Sequence, residues 1–298
     1  MKILVTGGTV FVSKYVAEYF SNRGHDVYVL NRNTKPQLPN VQLIECDRGN
    51  ICGKLKNLYF DAVIDVTAYT EQDVNILLGE LGRYDNYILI SSSAVYPETT
   101  QLPFKESDEC GANYFWGSYG TNKIGAENAA VSRAPNAYII RPPYLYGEYN
   151  NIYREAFVFD CAEKNQPFYI PNDGTMPLQF FYVGDLCRFI EIILETKPKR
   201  KIFNVGNSPI SVNEWVEACY RAAGANLTVK YVTCGCDQRN YFPFYDYGYV
   251  LDVSAQNNLM PHLLPLSEGL SRAYKWYKKN RHCVRVKNYF DFISKNFK

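Results

Sequence analysis

Over the first 145 positions the apolar residues fall into short runs with little polar alternation, separated by stretches of helical spacing. "KILVTGG" reads as a buried strand ending in a glycine turn, and "DVYVLNR", "VQLIECD", "FDAVIDVTA", "NYILISSS" and "AYIIRPP" read as five more. Between them, "FVSKYVAEYFSNRG" carries apolar residues at helical spacing and stops at Gly24; "TEQDVNILLGELGRY" and "SYGTNKIGAENAAVSR" are further helices. Strands apolar on both faces and alternating with helices indicate a parallel sheet covered on both sides. The pattern predicts a Rossmann-type, doubly wound α/β fold.

Past residue 145 the rhythm changes, and aromatics and turn residues crowd "YLYGEYNNIYREAFVFDCAEKNQPFYIPNDGTMPLQFF". "YVGDLCRFIEIILE" and "KIFNVG" return as one more helix and strand for the sheet, whereas helix "VNEWVEACYRAAG" and strand "LTVKYVT" belong to a smaller mixed α/β unit. The expected division is a dinucleotide-binding domain over 1–145 plus 180–206, and a substrate domain over 146–179 and 207–298. Ligands of such sheets bind at the carboxyl ends of the strands where the strand order reverses, so a second domain over that edge makes a cleft.

The first turn, "VTGGTVFVS", sits where such a fold holds a pyrophosphate. Gly7 and Gly8 supply the tight bend, and Val10 and Ser13 stand where two further small residues are usual. Backbone N–H donors do not depend on the side chain, so the segment Val10, Phe11, Val12 is expected to hold phosphate. At the end of the second strand Asn31 and Arg32, with Lys35 nearby, stand where an NAD site keeps an acid; a guanidinium there suits a 2′-phosphate. The expected cofactor is therefore NAD(P), with NADP favoured over NAD. Asp47 is expected to reach the adenine amine, and Thr67 and Ala68 to line the adenosine and ribose.

"YGTNK" places Tyr119 and Lys123 on one helix face, one turn apart. A phenol with an ordinary pKa near 10 is a poor base at neutral pH, and a nearby ammonium and a positive nicotinamide ring both lower it toward working pH. In their order and spacing "TGGT", "SSSAVY", "YGTNK", "RPPYLYG", "YVGDLCRFI" and "FNVG" resemble the extended short-chain dehydrogenase/reductases of the NAD(P)-dependent epimerase/dehydratase family, over essentially the whole chain. The resemblance implies a catalytic set of Ser92, Tyr119 and Lys123, with Ser92 at the family's Ser/Thr position. It adds Pro142 to the cofactor side, puts Ser93, Tyr144, Gln179 and Arg239 on the substrate side, and implies a homodimer through the Tyr–Lys helix and its neighbour.

Three departures narrow the reading. Ser93 and Ala94 replace the Asp-Glu pair of the family's dehydratases, which argues against elimination. Leu178 stands where nucleotide-sugar epimerases keep a diphosphate-binding arginine, leaving Arg154, Arg188 or Arg239 as substitutes. "GGTVF" and "LQFFYV" are closer to an atypical subgroup that includes the chloroplast stem-loop-binding proteins, which bind RNA. The expected activity is epimerisation of a sugar or sugar nucleotide by transient hydride transfer. The alternatives are an NADP-dependent reductase of a small carbonyl substrate, and an RNA-binding member of the same fold.

Composition changes this picture little. The 298 residues carry a net charge of +2 with 47% hydrophobic and 21% charged positions, so nothing marks capture of nucleic acid or an anionic membrane. No apolar run approaches the roughly 20 residues of a membrane helix, and "MKILVTGG" has no leader pattern. Nine scattered cysteines suit thiols in a reducing cytoplasm, where the protein is expected. "CGC" at 234–236 is the one close pair, and with 3 histidines in the chain no metal site is expected.

Overall fold

The computed structural model describes residues 1–233 and 235–297. The apolar runs form strands β1 (Lys2–Thr6), β2 (Asp26–Asn31), β3 (Gln42–Glu45), β4 (Tyr59–Asp65), β5 (Arg83–Ile90) and β6 (Ala137–Arg141). Together with the strand Ile202–Asn204 they make one parallel sheet in the order 202–204, β6, β5, β4, β1, β2, β3. The chain walks outward from β1 to β3 and restarts with β4 on the other side of β1. The loops after β1 and β4 therefore part at the carboxyl edge and open a crevice.

The main helices are α1 (Phe11–Asn22), α2 (Glu71–Glu80), α3 (Ser118–Arg133), α4 (Glu155–Glu163), α5 (Val183–Thr196) and α6 (Val212–Ala223). Successive strand residues point to opposite faces, and here both faces are buried. Ile3, Val5, Ile64, Ile88 and Ile140 pack with Phe20 of α1 and Phe189 of α5. Leu4, Val63, Leu89 and Ile139 pack with Leu77 of α2 and Ala126 and Ala130 of α3. This double burial is why the strands read as continuous apolar runs.

Two boundaries differ from the sequence reading. "NYILISSS" does not stay extended: β5 ends at Ile90 and the chain turns into a 3₁₀ helix, Ser93–Val95, because the Ser92 side chain accepts from the Ala94 N–H at 3.2 Å. α2 stops at Glu80 and does not run on through "LGRY", because β5 already begins at Arg83; α1 ends at Asn22 with Gly24 at φ +78° turning the chain, as the stop at Gly24 predicts.

Beyond β6 the paired segments are short. Tyr144–Tyr146 pairs with Phe180–Tyr182, and Phe168–Pro171 with Val229–Val232. They surround an aromatic core in which Phe180 lies flat on Trp215, 5.2 Å apart with an interplanar angle of 5°. Tyr144, Phe157, Phe244 and Tyr289 join the same core, which backs the second wall of the crevice. No helix among the described residues is long and apolar enough to cross a membrane. Cys46, Cys161, Cys187 and Cys219 are buried free thiols, and Cys52 and Cys283 exposed ones. Cys236 is instead disulfide-bonded, a departure from the reading of scattered thiols, and Cys234 lies outside the described residues.

Candidate active site

Between the sheet edge and the aromatic core lies a cavity of about 580 Å³. The glycine turn contributes Val10, Phe11 and Val12 to its wall, and the loop after β4 contributes Thr67. Ser92 and Ser93 follow β5, Tyr119 and Lys123 come from α3, and Pro142 and Tyr144 follow β6. Ten of the residues expected to touch cofactor or substrate thus surround one space.

The three serines after β5 point three ways. The Ser91 hydroxyl donates to the buried Glu127 carboxylate, whereas Ser93 acts on the Tyr249 hydroxyl and Ser92 on the Tyr119 hydroxyl, favouring its ionised form. Gly120 makes the last contact possible. A Cβ at this position would lie 2.4 Å from the Ala94 carbonyl oxygen, so only glycine lets α3 settle onto the 3₁₀ turn that carries Ser92. Gly117 at φ +51° brings the chain into the helix.

Lys123 is 2% exposed, and its ammonium donates to the carbonyl oxygens of Ala68 (2.7 Å) and Ile90 (2.9 Å). Burial lowers its pKa from 10.5 to about 8, while the carboxylates of Asp65 and Glu127 work to keep it charged. Here the expectation fails in one respect. The Tyr119 pKa is raised, not lowered: burial dominates, and the charge that offsets it is Arg154, not Lys123. The Lys123 ammonium is instead bound to two backbone carbonyls. Tyr119 exposes 39% of its surface, yet the desolvation falls on its hydroxyl.

The glycine turn fits a phosphate-bearing ligand. Gly7 and Gly8 both stand at φ +94°, and a Cβ on either would collide, with Ser13 Oγ at 2.7 Å or with Val29 at 2.5 Å. Ser13 fills the space beside Gly7 and donates to the Val10 carbonyl. Val10 itself takes an extended conformation, and the left-handed strain moves to Phe11 at φ +38°, worth about 1–2 kcal/mol for a residue with a side chain. The first N–H groups of α1 have no intrahelical acceptor and end at the cavity. Thr6 Oγ1 accepts from the N–H groups of Val66 and Thr67 at 3.0 Å each, which ties the loop bearing Thr67 and Ala68 to β1.

Other expected contacts have different partners. The Asn31 amide donates to the Gly7 carbonyl at 2.7 Å and braces the turn. Arg32 and Asp47 are both exposed and face each other at 3.8 Å at the ends of β2 and β3; Asp47 also accepts from the Gly49 N–H. Gln179 is corrected outright: it is fully buried, bonded to Leu251 and to the Asn207 carbonyl, and it does not border the cavity. Gln179 is thus structural, since its inward-facing amide joins two loops. Arg188 pairs with Asp185 on α5, whereas Arg154 lines the cavity. Arg239 sits one layer back, its guanidinium 4.5 Å from the Tyr245 ring.

Sequence reasoning passed over Glu127, which stands one turn beyond Lys123 on the same face of α3. Its carboxylate is paired with the buried Arg141 of β6 at 2.6 Å. The spacing Tyr119, Lys123, Glu127 was a readable signal, because a carboxylate buried on that face needs a cation.

The comparisons agree with this architecture. The chloroplast stem-loop binding protein of 41 kDa b of Arabidopsis thaliana is 27% identical over 92% of this chain and 78% of its own length. A putative UDP-glucose 4-epimerase of Methanocaldococcus jannaschii is 26% identical over 93% of this chain and 99% of its own. The fold is that of the UDP-glucuronic acid 4-epimerase of Bacillus cereus, solved with UDP-glucuronic acid and NAD, at a TM-score of 0.70, 19% identity and coverage of 94% and 99% of the two chains. The model of the NAD dependent epimerase/dehydratase family matches residues 3–206. With its sheet order, glycine turn and Tyr–Lys helix in that register, the chain belongs to the NAD dependent epimerase/dehydratase family.

Proposed function

We propose that the protein is an NAD(P)-dependent epimerase of a sugar or sugar nucleotide, with Ser92, Tyr119 and Lys123 as its catalytic set. The observation that carries this reading is that Ser92, Tyr119 and Lys123 line one cavity together with the glycine turn, with Ser92 acting on the Tyr119 hydroxyl. NAD(P), which the glycine turn and Lys123 would hold, would supply reversible hydride acceptance for the substrate carbon and a positive ring charge beside the phenol.

The remaining work falls to the protein. Tyr119 takes the proton from the reacting hydroxyl as the ketone forms and gives it back as the ketone is reduced, so no proton is gained or lost over the cycle. Ser92 holds the same oxygen by hydrogen bonding. Lys123, clamped to the Ala68 and Ile90 carbonyls, fixes a positive charge beside the cofactor's ribose. Gly7, Gly8 and the N–H groups of residues 11–13 hold the pyrophosphate, with Thr67 and Ala68 on the adenosine side. Arg32 favours a 2′-phosphate and hence NADP, although Asp47 at 3.8 Å competes for its guanidinium.

Ser93 and Ala94 offer no acid–base pair for elimination, which favours epimerisation over dehydration. The same reading carries a homodimer through α2 and α3, where Val131 is exposed. RNA binding by base stacking is less well supported, because Tyr241, Phe242, Phe244 and Tyr249 are buried. UDP-glucose, which the Methanocaldococcus relative is named for, is the first substrate to assay. Tyr119→Phe should lower kcat by about 10³–10⁴-fold while cofactor affinity stays within about twofold. An unchanged rate removes Tyr119 from the mechanism. Stoichiometric consumption of added NADPH would assign a reductase instead.

A further inference from the structure

The Lys123 ammonium is met by the Ile90 carbonyl at the end of β5 and by the Ala68 carbonyl, and the centroid of the Tyr69 ring lies 5.2 Å from it. Ala68 and Tyr69 belong to the loop 66–70, between the end of β4 and the start of α2. A loop has no ladder of its own to fix it, so a lysine clamped by one is placed only as well as the loop is held.

That support converges on one arginine. Arg48 stands in the turn after β3, next to Asp47, and its side chain is 13% exposed. Nη1 and Nη2 donate to the two carboxylate oxygens of Asp65, each at 2.6 Å. Nη1 also donates to the Thr67 hydroxyl at 3.2 Å, and Nη2 to the Asp73 carbonyl at 2.8 Å. One guanidinium thus joins the end of β4, the middle of the loop and the first turn of α2. A planar fork can span such a set, and a single ammonium cannot.

Its partners carry the bracing further. Asp65 is fully buried and also accepts from the Thr6 hydroxyl of β1 at 2.8 Å and the Tyr87 hydroxyl of β5 at 2.7 Å. The Asp73 carboxylate accepts from the N–H groups of Tyr69 and Thr70 at 2.9 and 2.8 Å, as Thr6 does from those of Val66 and Thr67. The N–H groups of residues 66, 67, 69 and 70 are therefore held, and Ala68 between them presents its carbonyl to Lys123. Stability alone does not call for such a pair, because apolar residues of similar volume often serve as well. What the pair adds is geometry.

We infer that Arg48 is a positioning residue: paired with Asp65, it fixes the loop 66–70 so that Ala68 and Tyr69 hold the Lys123 ammonium at the cavity wall. The inference rests on reading Lys123 as part of the catalytic set, and it adds a residue that does not itself line the cavity. The charges acting on the ammonium are Asp65 from β4, Glu127 from its own helix, Arg48 from the turn after β3 and Asp73 from α2. Arg48 and Asp65 act with opposite signs, so removing both charges together leaves the electrostatic surroundings of Lys123 nearly unchanged while releasing the loop.

The test is competitive acetylation of the full-length protein with acetic anhydride across pH, read by mass spectrometry at Lys123 without added cofactor or substrate. Arg48→Lys keeps a cation beside Asp65 but cannot reach Asp65, Thr67 and Asp73 together. Arg48→Met combined with Asp65→Asn removes both charges and strands neither. Burial is what holds the Lys123 titration down, at about 8, so a loosened loop that admits water should raise it by about one pH unit in either variant. Arg221→Met, which breaks an exposed pair on α6, should leave it in place. The alkaline fall in turnover should move up with the titration. An unchanged Lys123 titration in Arg48→Lys overturns the inference, as does the same result in the double variant; Arg48→Lys alone decides if the double variant does not fold. A shifted titration with an unshifted turnover profile also overturns it. Acetylation needs no turnover, so an inactive protein in which Lys123 still shifts counts against the epimerase reading and not against the positioning of Lys123.

Discussion

The two walls of the cleft are built on different plans. The first, from the glycine turn to Lys123, hangs on strand ends of one parallel sheet, and each of its parts is set within a few residues of a motif. The second wall brings together Tyr144, Arg154, Tyr245 and Tyr249, positions far apart in the chain. Sheet topology dictates the first wall, whereas packing of an aromatic core dictates the second. The Ser92 and Tyr119 hydroxyls sit on the first wall, and the Arg154 charge that acts on Tyr119 comes from the second. Neither wall completes the site alone.

Three variations test how far the first wall depends on close packing. Gly120→Ala should have the largest effect, because a methyl group 2.4 Å from the Ala94 oxygen must push α3 off the 3₁₀ turn. A loss of about 10²-fold in kcat is expected, with destabilisation of about 1–3 kcal/mol. Steady-state kinetics and urea unfolding measure the two, and wild-type activity would show that the Tyr119–Ser92 contact does not need this approach.

The next effect is pH-dependent. The Lys123 pKa of about 8 means that its ammonium is lost as pH rises through that value. Turnover and cofactor affinity should then fall by up to about tenfold per pH unit. The sign for stability is opposite: the folded pKa lies below the ordinary value of 10.5, so the unfolded chain binds the extra proton between the two. This group's contribution to stability therefore rises with pH over that window. A kcat/KM profile flat to pH 10 would contradict the assignment. Arg32→Ala should give the smallest change, about tenfold weaker NADP binding with NAD within about twofold. Fluorescence titration with both cofactors reads it, and equal losses would leave Arg32 without a 2′-phosphate role.

The asymmetry between the walls also explains what could be read in advance. Apolar runs and capping residues such as Thr70 and Asp73 fix the strands and helices of the sheet locally, and α3 occupies residues 118–133 as its spacing predicts. Ser92 was identifiable by its distance from "VY", although only the turn of the backbone separates it from Ser91 and Ser93. Gln179 was misjudged because a polar residue beside a motif looks the same whether it faces a ligand or a loop carbonyl. Tyr245 and Tyr249 carried no signal as cavity residues, because their place depends on packing between distant segments of the aromatic core. The direction of the Tyr119 shift was missed for a related reason, since i, i+4 spacing places Lys123 on the right face without saying where its ammonium points.

The account turns on whether ligand binding overcomes the burial that holds the Tyr119 proton in place. Ultraviolet difference titration of tyrosinate, comparing wild-type protein with Tyr119→Phe in the presence of oxidised NAD or NADP, measures this directly. The account predicts one phenol that ionises below the ordinary value of 10.0 when cofactor is added, and whose signal vanishes in Tyr119→Phe. Identical titrations for the two proteins with cofactor bound would contradict it.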